Sequence, residues 1–405
     1  MSRKTVTISP VRRVEGESGL LLETEENTIV RAFYMPEIPV RGFERMLTGK
    51  MYQFVPDAVM RICGVCHITH AIAAAEALED CFSVTPPENA VLLRECAGLI
   101  NRLQSHAVHM AFIVEDFFSG DEKARWLNRT VEMLELSGNA MAILGKNRIH
   151  PHCVVVGGVD VSLSEKSLKE IKENVTRYLG IMEEFQEALR EKISSMIDDG
   201  KMPEELGNVH FPRLTTDMYY GDREKLDLID VSVHRADRFY NSRDLIDYGC
   251  LIATYRDSIV EVGPGARMRL FKNMRPEGPL NVNTAYIADA IAGGNRILEI
   301  VDTVDINATM KVKFSPKKGA GIGVHEAPRG TNIHIARTDE DGIIEDYRII
   351  VPTMFNIPVI NEALRGSPVE FAELVVRSYD PCISCATHKI VISHPEVRGH
   401  EDFLL

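Results

Sequence analysis

Residues 61–70 read RICGVCHITH, and residues 379–388, near the other end of the chain, read YDPCISCATH. Each stretch holds a Cys-x-x-Cys pair followed by a histidine, and Cys382 lies 316 positions after Cys66. Four thiolates suit a tetrahedral metal site. On spacing alone, three interpretations stay open: a structural zinc site, a thiol redox pair, and a catalytic or electron-transfer metal site. The long separation argues against a zinc knuckle, which closes a short local loop.

Composition restricts the class of protein. The chain has 405 residues, eight cysteines and a formal net charge of −13, which disfavours binding to a nucleic-acid backbone. No apolar run reaches the ~20 residues of a membrane span, and the first residues, MSRKTVTISP, lack the apolar core of a secretory signal. We therefore expect a cytoplasmic protein whose paired cysteines serve metal or redox chemistry, although a subunit exported together with a signal-bearing partner would have the same features. The four other cysteines lie in apolar segments and are expected to pack in the core.

The hydrophobic pattern changes along the chain from strand-like to helical and back. Alternation over residues 4–35 predicts a hairpin that turns near Glu25–Asn27. Strand-like alternation returns after residue 305, in TMKVKFSP and around a turn at 340–342. Between these regions the pattern predicts helices at 88–118, 121–145, 164–198, 222–230 and 283–304. The whole pattern indicates an α+β fold, a large central helical bundle with smaller mixed β regions from both termini.

Residues beside the cysteines favour a metal site in which neighbouring groups adjust the properties of the thiolate ligands. Cys66 directly precedes a predicted helix, and a helix N-terminus lowers the pKa of a thiol. His70 follows Cys66 by one helical turn, so its ring can reach back toward that sulfur. Asp380-Pro381, before Cys382, is a typical turn sequence that orients the thiols after it.

Ordered segments between the cysteine pairs point to one family. Together with RICGVCxxxH and DPCxxCxxH, they resemble the large subunit of nickel–iron hydrogenases along the whole chain. These segments are VRRVEG (11–16), PVRGFE (39–44), IHPHCVVVGG (149–158), EVGPGAR (261–267), HEAPRG (325–330) and VPTMFN (351–356). The resemblance implies the fold of that family, cleavage of hydrogen, and a nickel–iron centre that carries carbon monoxide and cyanide ligands.

The resemblance also implies roles for individual residues. Cys63 and Cys382 match the terminal nickel ligands, and Cys66 and Cys385 match the thiolates that bridge nickel and iron. Glu15, in VRRVEG, matches the proton-relay glutamate of the family. Without that motif it would be interpreted as an ordinary surface residue.

Further matches surround the implied centre. Arg329 matches the arginine over the open metal position, and Asp380 is expected to orient it. Pro328 and Thr353 lie where the family packs or hydrogen-bonds around the diatomic ligands. His70 is expected to support a bridging sulfur.

Glu44 and His388 match ligands of a second divalent cation. A carboxylate favours Mg²⁺, whereas the histidine leaves iron open.

Two positions depart from the family pattern. Glu17 stands where histidine is frequent, and Ser105 stands where many members have an acidic residue. The network of arginine and carboxylate groups is therefore expected to be thinner beside Ser105. His106 and His109, on the same predicted helix, are expected to have core or supporting roles rather than to bind metal.

The 17 residues after His388 resemble an extension that a dedicated maturation protease removes next to that histidine. A harmless disordered terminus is the alternative interpretation. We expect a single domain over residues 1–388, followed by this removable extension at 389–405. Within the domain, the expected regions are β-rich 1–50, helical 55–305 and β-rich 306–388.

The four paired cysteines are used at one site, so electrons have to leave through a partner. The resemblance implies an iron–sulfur small subunit. Likeness to the cytoplasmic, methanogen-type enzymes that reduce coenzyme F420 also implies a flavin-containing, F420-binding subunit. Iron–sulfur clusters and FAD are expected only in those partners. The alternatives are a viologen-reducing, heterodisulfide-reductase-linked hydrogenase, a hydrogen sensor, and a respiratory-complex-like scaffold, whose members lack the four cysteines.

Overall fold

A computed structural model of the chain describes residues 3–38, 41–242, 245, 250–275 and 278–387. His388 and the expected extension at 389–405 lie outside the described residues. The strands of the described ranges are β1 Arg3–Ile8, β2 Ser18–Glu25, β3 Thr28–Pro36, β4 Val154–Val155, β5 Gly158–Val159, β6 Val231–Arg235, β7 Leu251–Tyr255, β8 Gly319–Ala327, β9 Gly330–Thr338 and β10 Ile344–Ile350. The helices are α1 Phe43–Leu47, α2 Val55–Val59, α3 His67–Phe82, α4 Glu88–Phe117, α5 Gly120–Gly145, α6 Glu165–Asp198, α7 Ala236–Phe239, α8 Pro264–Lys272, α9 Gly278–Thr303, α10 Pro352–Leu364, α11 Ala372–Ser378 and α12 Ile383–Ala386.

The N-terminal strands β1, β2 and β3 form an antiparallel sheet in that order. Leu20 and Leu22 alternate along β2 and are both buried, as the strand pattern predicts. The β2–β3 hairpin turns close to the predicted position. Backbone hydrogen bonds from Ile29 N to Ser367 O and from Gly366 N to Ile29 O tie this sheet to the C-terminal part of the chain.

The central part is a bundle of four long helices. Helix α4 packs against α5 and α9, and α6 packs against α5 and α9. Helix α6 begins at a capping box in which Ser164 and Ser167 satisfy each other's backbone N–H groups. This bundle, with β sheets before and after it, confirms the predicted α+β class.

The C-terminal sheet has the order β10-β9-β8, and its edge strand β8 lies directly on α3. Gly319, Gly321 and Gly323 all face the helix, where an added Cβ would meet the backbone of Cys81, Ala77 and Ala73 respectively. Two strand residues advance by about 6.6 Å and four helix residues by about 6 Å, so the two repeats stay in step. Glycine at alternate strand positions therefore permits close backbone contact between β8 and α3.

Three regions differ from the sequence expectation. The predicted helix at 222–230 is wrong: this segment forms two single 3₁₀ turns, Arg223–Lys225 and Leu228–Asp230, each begun by an aspartate that caps the turn. The predicted strand in TMKVKFSP is reduced to one isolated bridge at Lys311. Beyond residue 351, buried helices replace the expected β-rich pattern. No helix in the described ranges is both long and apolar enough to span a bilayer.

Candidate metal centre

The structure brings together the four cysteines of the two Cys-x-x-Cys pairs. Their Sγ atoms all lie within 4.8 Å of one another. The sulfur of Cys382 lies 3.3 Å from Cys63 and 3.0 Å from Cys385, and the sulfurs of Cys66 and Cys385 are 3.2 Å apart. All four side chains are buried. The two ends of the chain therefore meet at one potential metal site.

Local structure holds each pair in place. Cys66 directly precedes α3, and the Thr69 hydroxyl donates a 2.7 Å hydrogen bond to its carbonyl. Cys382 precedes α12, and its backbone N–H donates to Thr353 Oγ1 at 3.0 Å. The backbone N–H of Ile383 donates to Glu15 O, so the N-terminal segment closes over the second pair.

The four sulfur atoms contact one another without forming disulfide bonds. Their separations of 3.0–3.3 Å exceed the about 2.05 Å of a disulfide. Burial raises the pKa of the Cys382 and Cys385 thiols well above their usual range, whereas hydrogen bonds from the other sulfurs lower the pKa of Cys63. Because several buried thiolates repel one another, only a bound cation would stabilise all four in the ionised form.

Glu15, the predicted proton relay, lies against one of these sulfurs. Its Oε2 is 3.1 Å from Cys382 Sγ and accepts a 3.1 Å hydrogen bond from Ser384 N. The Ser384 hydroxyl donates to Glu15 Oε1 at 2.6 Å. The carboxylate thus joins a buried sulfur to a half-buried hydroxyl.

Arg329 and Asp380 form a buried pair beside the cysteines. Arg329 Nη2 donates to Asp380 Oδ1 at 2.9 Å, and its Nε donates to the Asp380 carbonyl. Its Nη1 donates to Ser105 Oγ at 3.1 Å, so the serine noted as a departure still contacts the arginine. Burial lowers the pKa of the guanidinium, but Asp380 and the cysteines outweigh burial and raise that pKa well above its usual range. The site therefore contains a fixed positive charge.

A small cavity adjoins the sulfurs. Its lining residues are Cys66, Thr69, His70, Ala327, Arg329, Asn332, Pro352, Thr353, Cys382 and Cys385. Thr353, which the sequence predicts beside the diatomic ligands, is one of the lining residues. Pro328 is not among the lining residues, and its carbonyl accepts a hydrogen bond from Arg267 at 3.1 Å.

His70 begins a hydrogen-bonded chain that leads away from the sulfurs. Its Nε2 lies 3.4 Å from Cys385 Sγ, in the second pair, whereas sequence spacing had indicated Cys66. Its Nδ1 lies 3.1 Å from His334 Nε2, and His334 Nδ1 lies 2.8 Å from the Tyr347 hydroxyl. If His70 donates to the sulfur, His334 donates to His70 and the Tyr347 hydroxyl donates to His334, so all three hydrogen bonds point toward Cys385.

His106 and His109 of α4 are fully buried and have polar partners, as expected for core or supporting residues. His106 Nε2 lies 2.8 Å from Asp289 Oδ2, and His109 Nε2 lies 3.0 Å from Asn283 Oδ1. Burial lowers the pKa of His106 to about 4 and that of His109 to about 3, so both rings are neutral near pH 7.

Glu44, the predicted ligand of a second cation, lies in α1. Its Oε1 accepts a 2.8 Å hydrogen bond from Ile349 N. Arg41 N donates to Thr387 O at 3.0 Å, which brings the segment before α1 beside the residue that precedes His388. Among the described residues, the cysteine cluster is the only group of three or more potential ligands close enough to share an ion. The second cation site remains a prediction because His388 lies outside the described residues.

Comparisons with known proteins give the family. A family model described as nickel-dependent hydrogenase matches residues 41–113 and 281–388. The chain is 38% identical to the alpha subunit of coenzyme F420 hydrogenase from Methanocaldococcus jannaschii, covering 95% of this chain and 94% of that protein. The chain belongs to the nickel-dependent hydrogenase family.

Other relatives and solved structures agree with this assignment. The chain is 26% identical to an F420-non-reducing hydrogenase of Methanothermobacter thermautotrophicus, covering 95% of each protein. The Ni-Fe-Se hydrogenase of Desulfovibrio vulgaris Hildenborough, in its as-isolated oxidised state, superposes with a TM-score of 0.83 over 96% of this chain and 100% of that chain, at 20% identity. At that identity the superposition supports the fold alone.

The family assignment confirms the prediction of a nickel–iron hydrogenase enzyme, in which this chain is the catalytic subunit. The roles of individual site residues stay predictions. The donor set fits the metals of this family, because four soft thiolates in one buried cluster suit nickel and low-spin iron. The candidate site thus has a cluster of four cysteine sulfurs, an adjacent carboxylate and a buried guanidinium.

Three residues near the hydrogenase centre were missed by sequence reasoning: Asn332, His334 and Tyr347. Asn332 and His334 are two positions apart in β9, so they share a strand face. That alternation is visible in TNIHIAR, but only the packing of β9 against α3 shows which face meets the cysteines. Tyr347 lies on β10, and its reach to His334 depends on strand register.

Proposed function

We propose that this chain is the hydrogen-cleaving subunit of a cytoplasmic nickel–iron hydrogenase that reduces coenzyme F420 through partner subunits. The observation that carries the proposal is the meeting of four buried cysteine sulfurs from both ends of the chain. The acceptor is supported by identity, which is 38% and 32% to two coenzyme F420 hydrogenase alpha subunits and 26% to an F420-non-reducing enzyme.

In this proposal the cysteines hold the nickel–iron centre. Cys63 and Cys382 would hold nickel alone, and Cys66 and Cys385 would be shared between nickel and iron. When bound, the centre supplies the Lewis acidity and the redox change for heterolytic cleavage of hydrogen. Glu15 would accept the proton at the sulfur of Cys382, along the 3.1 Å contact. The Ser384 hydroxyl, which donates to the same carboxylate at 2.6 Å, would turn to accept that proton while it releases its own proton to water.

Other residues prepare the open side of the centre. The iron would carry carbon monoxide and cyanide ligands, and the cavity beside Cys66 and Cys385 is the space next to the sulfurs proposed to hold it. Arg329 places its guanidinium there, and Asp380 prevents its rotation by accepting from two of its nitrogens. Thr353 holds the backbone of Cys382. Pro328, directly before Arg329, restricts the backbone where the loop that carries Arg329 begins.

We also propose a second cation, Mg²⁺ or iron, between Glu44 and His388. Hydrogen bonding of Arg41 to Thr387 supports this placement, because it brings the segment before α1 to the end of the described chain. A maturation protease that cuts after His388 would release residues 389–405. In the mature enzyme His388 then ends the chain and can bind the cation.

The electrons leave to an iron–sulfur small subunit, and then to a subunit that binds flavin and F420. Gly64 lies between Cys63 and Cys66 and is exposed, so the cysteine cluster comes close to the surface there. Phe54, in the segment before the first cysteine pair, is 46% exposed. Ile149 is 55% exposed and precedes His150, whose ring centroid lies 5.5 Å from that of His67. We name Phe54, Gly64 and Ile149 the docking face. Large exposed apolar side chains next to a buried redox centre are typical of a partner interface.

The docking face can be tested with charged substitutions. Phe54→Glu and Ile149→Glu are expected to abolish both F420 reduction and co-purification of the small subunit, because a buried unpaired carboxylate is costly at an interface. Ile229→Glu, at a side chain that is 69% exposed on a 3₁₀ turn, is the matched control. Unchanged co-purification of both docking-face variants would contradict this interface.

The proposed function as a whole is tested on the complex purified with its partners. We expect nickel in equal amount with this chain, infrared bands of carbon monoxide and cyanide, and hydrogen-dependent reduction of F420. Zinc at the cysteines without those bands would contradict the proposal. Viologen reduction without F420 reduction would favour the heterodisulfide-reductase-linked alternative, and very slow turnover with a kinase partner would favour a sensor.

A further inference from the structure

Asn332 is a buried amide that faces the metal-site cavity. Its side chain is 1% exposed and lines the cavity together with Cys66, Cys385 and Arg329. Neither Nδ2 nor Oδ1 has a hydrogen-bond partner within the described part of the chain. A buried amide normally has hydrogen-bond partners, because removing it from water without replacing its hydrogen bonds costs free energy.

Strand β9 directs this side chain toward the cysteines. Thr331, one position before, points to the opposite face, where its hydroxyl donates to Glu326 Oε1 at 2.9 Å. His334, two positions after, shares the face of Asn332 and lies 3.1 Å from His70, the neighbour of Cys385. The alternation of the strand therefore explains why Asn332 lies beside the sulfurs.

Other buried asparagines in the described ranges are used differently. Asn283 donates to Ser378 Oγ, Asn356 accepts from Val262 N and donates to backbone carbonyls, and Asn361 accepts from Tyr34 N and donates to Tyr240. Asn101 donates to Val65 O. Of this described set, Asn332 alone leaves both amide atoms unpaired. The distinction points to a partner that the protein chain does not supply.

We propose that Asn332 donates a hydrogen bond from Nδ2 to a cyanide ligand of the iron, an assignment that rests on the proposed function. Three properties of the site favour cyanide. The cavity is lined by Cys66 and Cys385, so the ligands of an iron held by these two residues would extend into it. The nitrogen of metal-bound cyanide carries negative charge and accepts hydrogen bonds strongly, whereas the oxygen of carbon monoxide accepts weakly. Asn332 also adds no charge, so it complements Arg329, which supplies the cation of the same cavity.

The test is infrared spectroscopy of the metal-loaded complex with Asn332→Leu, a change that keeps the volume and removes the donor. We expect one cyanide band to shift to lower wavenumber, with a smaller change in the carbon monoxide band, at unchanged nickel content. The metal-free variant is expected to have a melting temperature equal to or above that of the metal-free wild type, since leucine leaves no amide unpaired. A purely structural asparagine would give the opposite pair of results: a lower melting temperature and unshifted bands.

Two further variants make the result decisive. Thr338→Val removes a buried hydroxyl of the same strand, whose partner is Lys317 O, and is expected to leave every band unshifted. Asn332→Ser keeps a hydrogen-bond donor on a shorter side chain. It replaces the leucine variant in the test if that variant binds too little nickel. Its cyanide band is expected to shift in the same direction as in Asn332→Leu, but by less. Unshifted cyanide bands in the Asn332 variants would overturn the assignment, whereas absence of carbon monoxide and cyanide bands in the wild type would overturn the proposed cofactor itself.

Discussion

At the residue scale, the contacts of Glu15 distinguish it as the candidate for proton transfer. The sequence stretch VEGE contains two glutamates, Glu15 and Glu17. Only Glu15 is half-buried and lies 3.1 Å from Cys382 Sγ, whereas Glu17 is exposed. The difference follows from Gly16 between them, whose positive φ of 85° lets the chain turn closely against Ile383.

We predict that Glu15→Gln loses at least ~10²-fold in hydrogen-oxidation rate at unchanged nickel content, because the amide cannot accept a proton. The rate is measured with an artificial electron acceptor, and nickel by elemental analysis. Glu17→Gln is the matched control, and its rate is expected to equal that of the wild type. A Glu15→Gln enzyme with full turnover would exclude this glutamate from the proton path.

Arg329 has a second prediction at the residue scale. Its three side-chain nitrogens reach two partners on different elements, Asp380 and Ser105. Lysine has one nitrogen and cannot reproduce this planar fork. We therefore expect Arg329→Lys to retain nickel and to lose on the order of 10²-fold in turnover. Arg365→Lys, on an arginine side chain that is 62% exposed, should show wild-type rates, and equal rates in both variants would contradict the role of Arg329.

At the scale of elements, the contact between β8 and α3 positions much of the site. Helix α3 starts at the residue after Cys66 and contains His70, while the strand next to β8 contains Asn332 and His334. Close approach of β8 to α3 depends on its three glycines, because their Cβ positions are occupied by helix backbone. The distance from the helix to β9, and hence from His70 to His334, is set by this contact.

We predict that Gly323→Ala destabilises the protein by about 1–3 kcal/mol, because the new methyl group would overlap Ala73 O and the helix backbone cannot yield. Denaturant unfolding measures the loss. Gly180→Ala, at an exposed position of α6 with open space around it, is expected to stabilise by about 0.5–1 kcal/mol. Equal stability of Gly323→Ala and wild type would show that strand and helix separate without cost.

For the whole molecule, the main feature is that both chain ends complete one site. The N-terminal segment bonds to the second cysteine pair through Glu15 O and Ile383 N, and the N-terminal sheet bonds to Ser367. Helix α6 packs mainly on α5 and α9, whereas α9 also bonds to the segment before the second cysteine pair, through Asn283 and Ser378. A metal bound at the cysteines would therefore couple the two ends to each other more strongly than it stabilises α6.

We predict that the nickel-free protein exchanges backbone hydrogens faster than the loaded protein at residues 61–70 and 379–387, and around Glu15. Loss of the metal removes the attraction that holds these segments together, so their local opening becomes more frequent. Residues of α6 serve as the internal control and should exchange equally in both forms. Hydrogen-exchange mass spectrometry measures all of them, and equal exchange at the two cysteine segments would contradict the coupling.

Local patterns in the sequence determined much of this protein. The hairpin of β2 and β3, the long helices α4, α5 and α6, and the capping of α6 follow from periodicity and from residues close in sequence. The four cysteines proposed to bind metal could be named because their spacing and neighbours are local motifs. The same reasoning gave a wrong prediction for residues 222–230, because aspartate side chains cap single turns there instead of starting a helix.

Only the tertiary structure decided which partners these residues meet. His70 lies beside Cys385 rather than beside Cys66, one helical turn before it. Asn332 faces the cavity, and Tyr347 reaches His334. All three contacts follow from strand register and from the packing of β8 against α3. Such contacts join residues tens to hundreds of positions apart, and no local periodicity contains them. The physical reason is that a side chain's direction follows from its own backbone, whereas its neighbour is set by how separate elements pack.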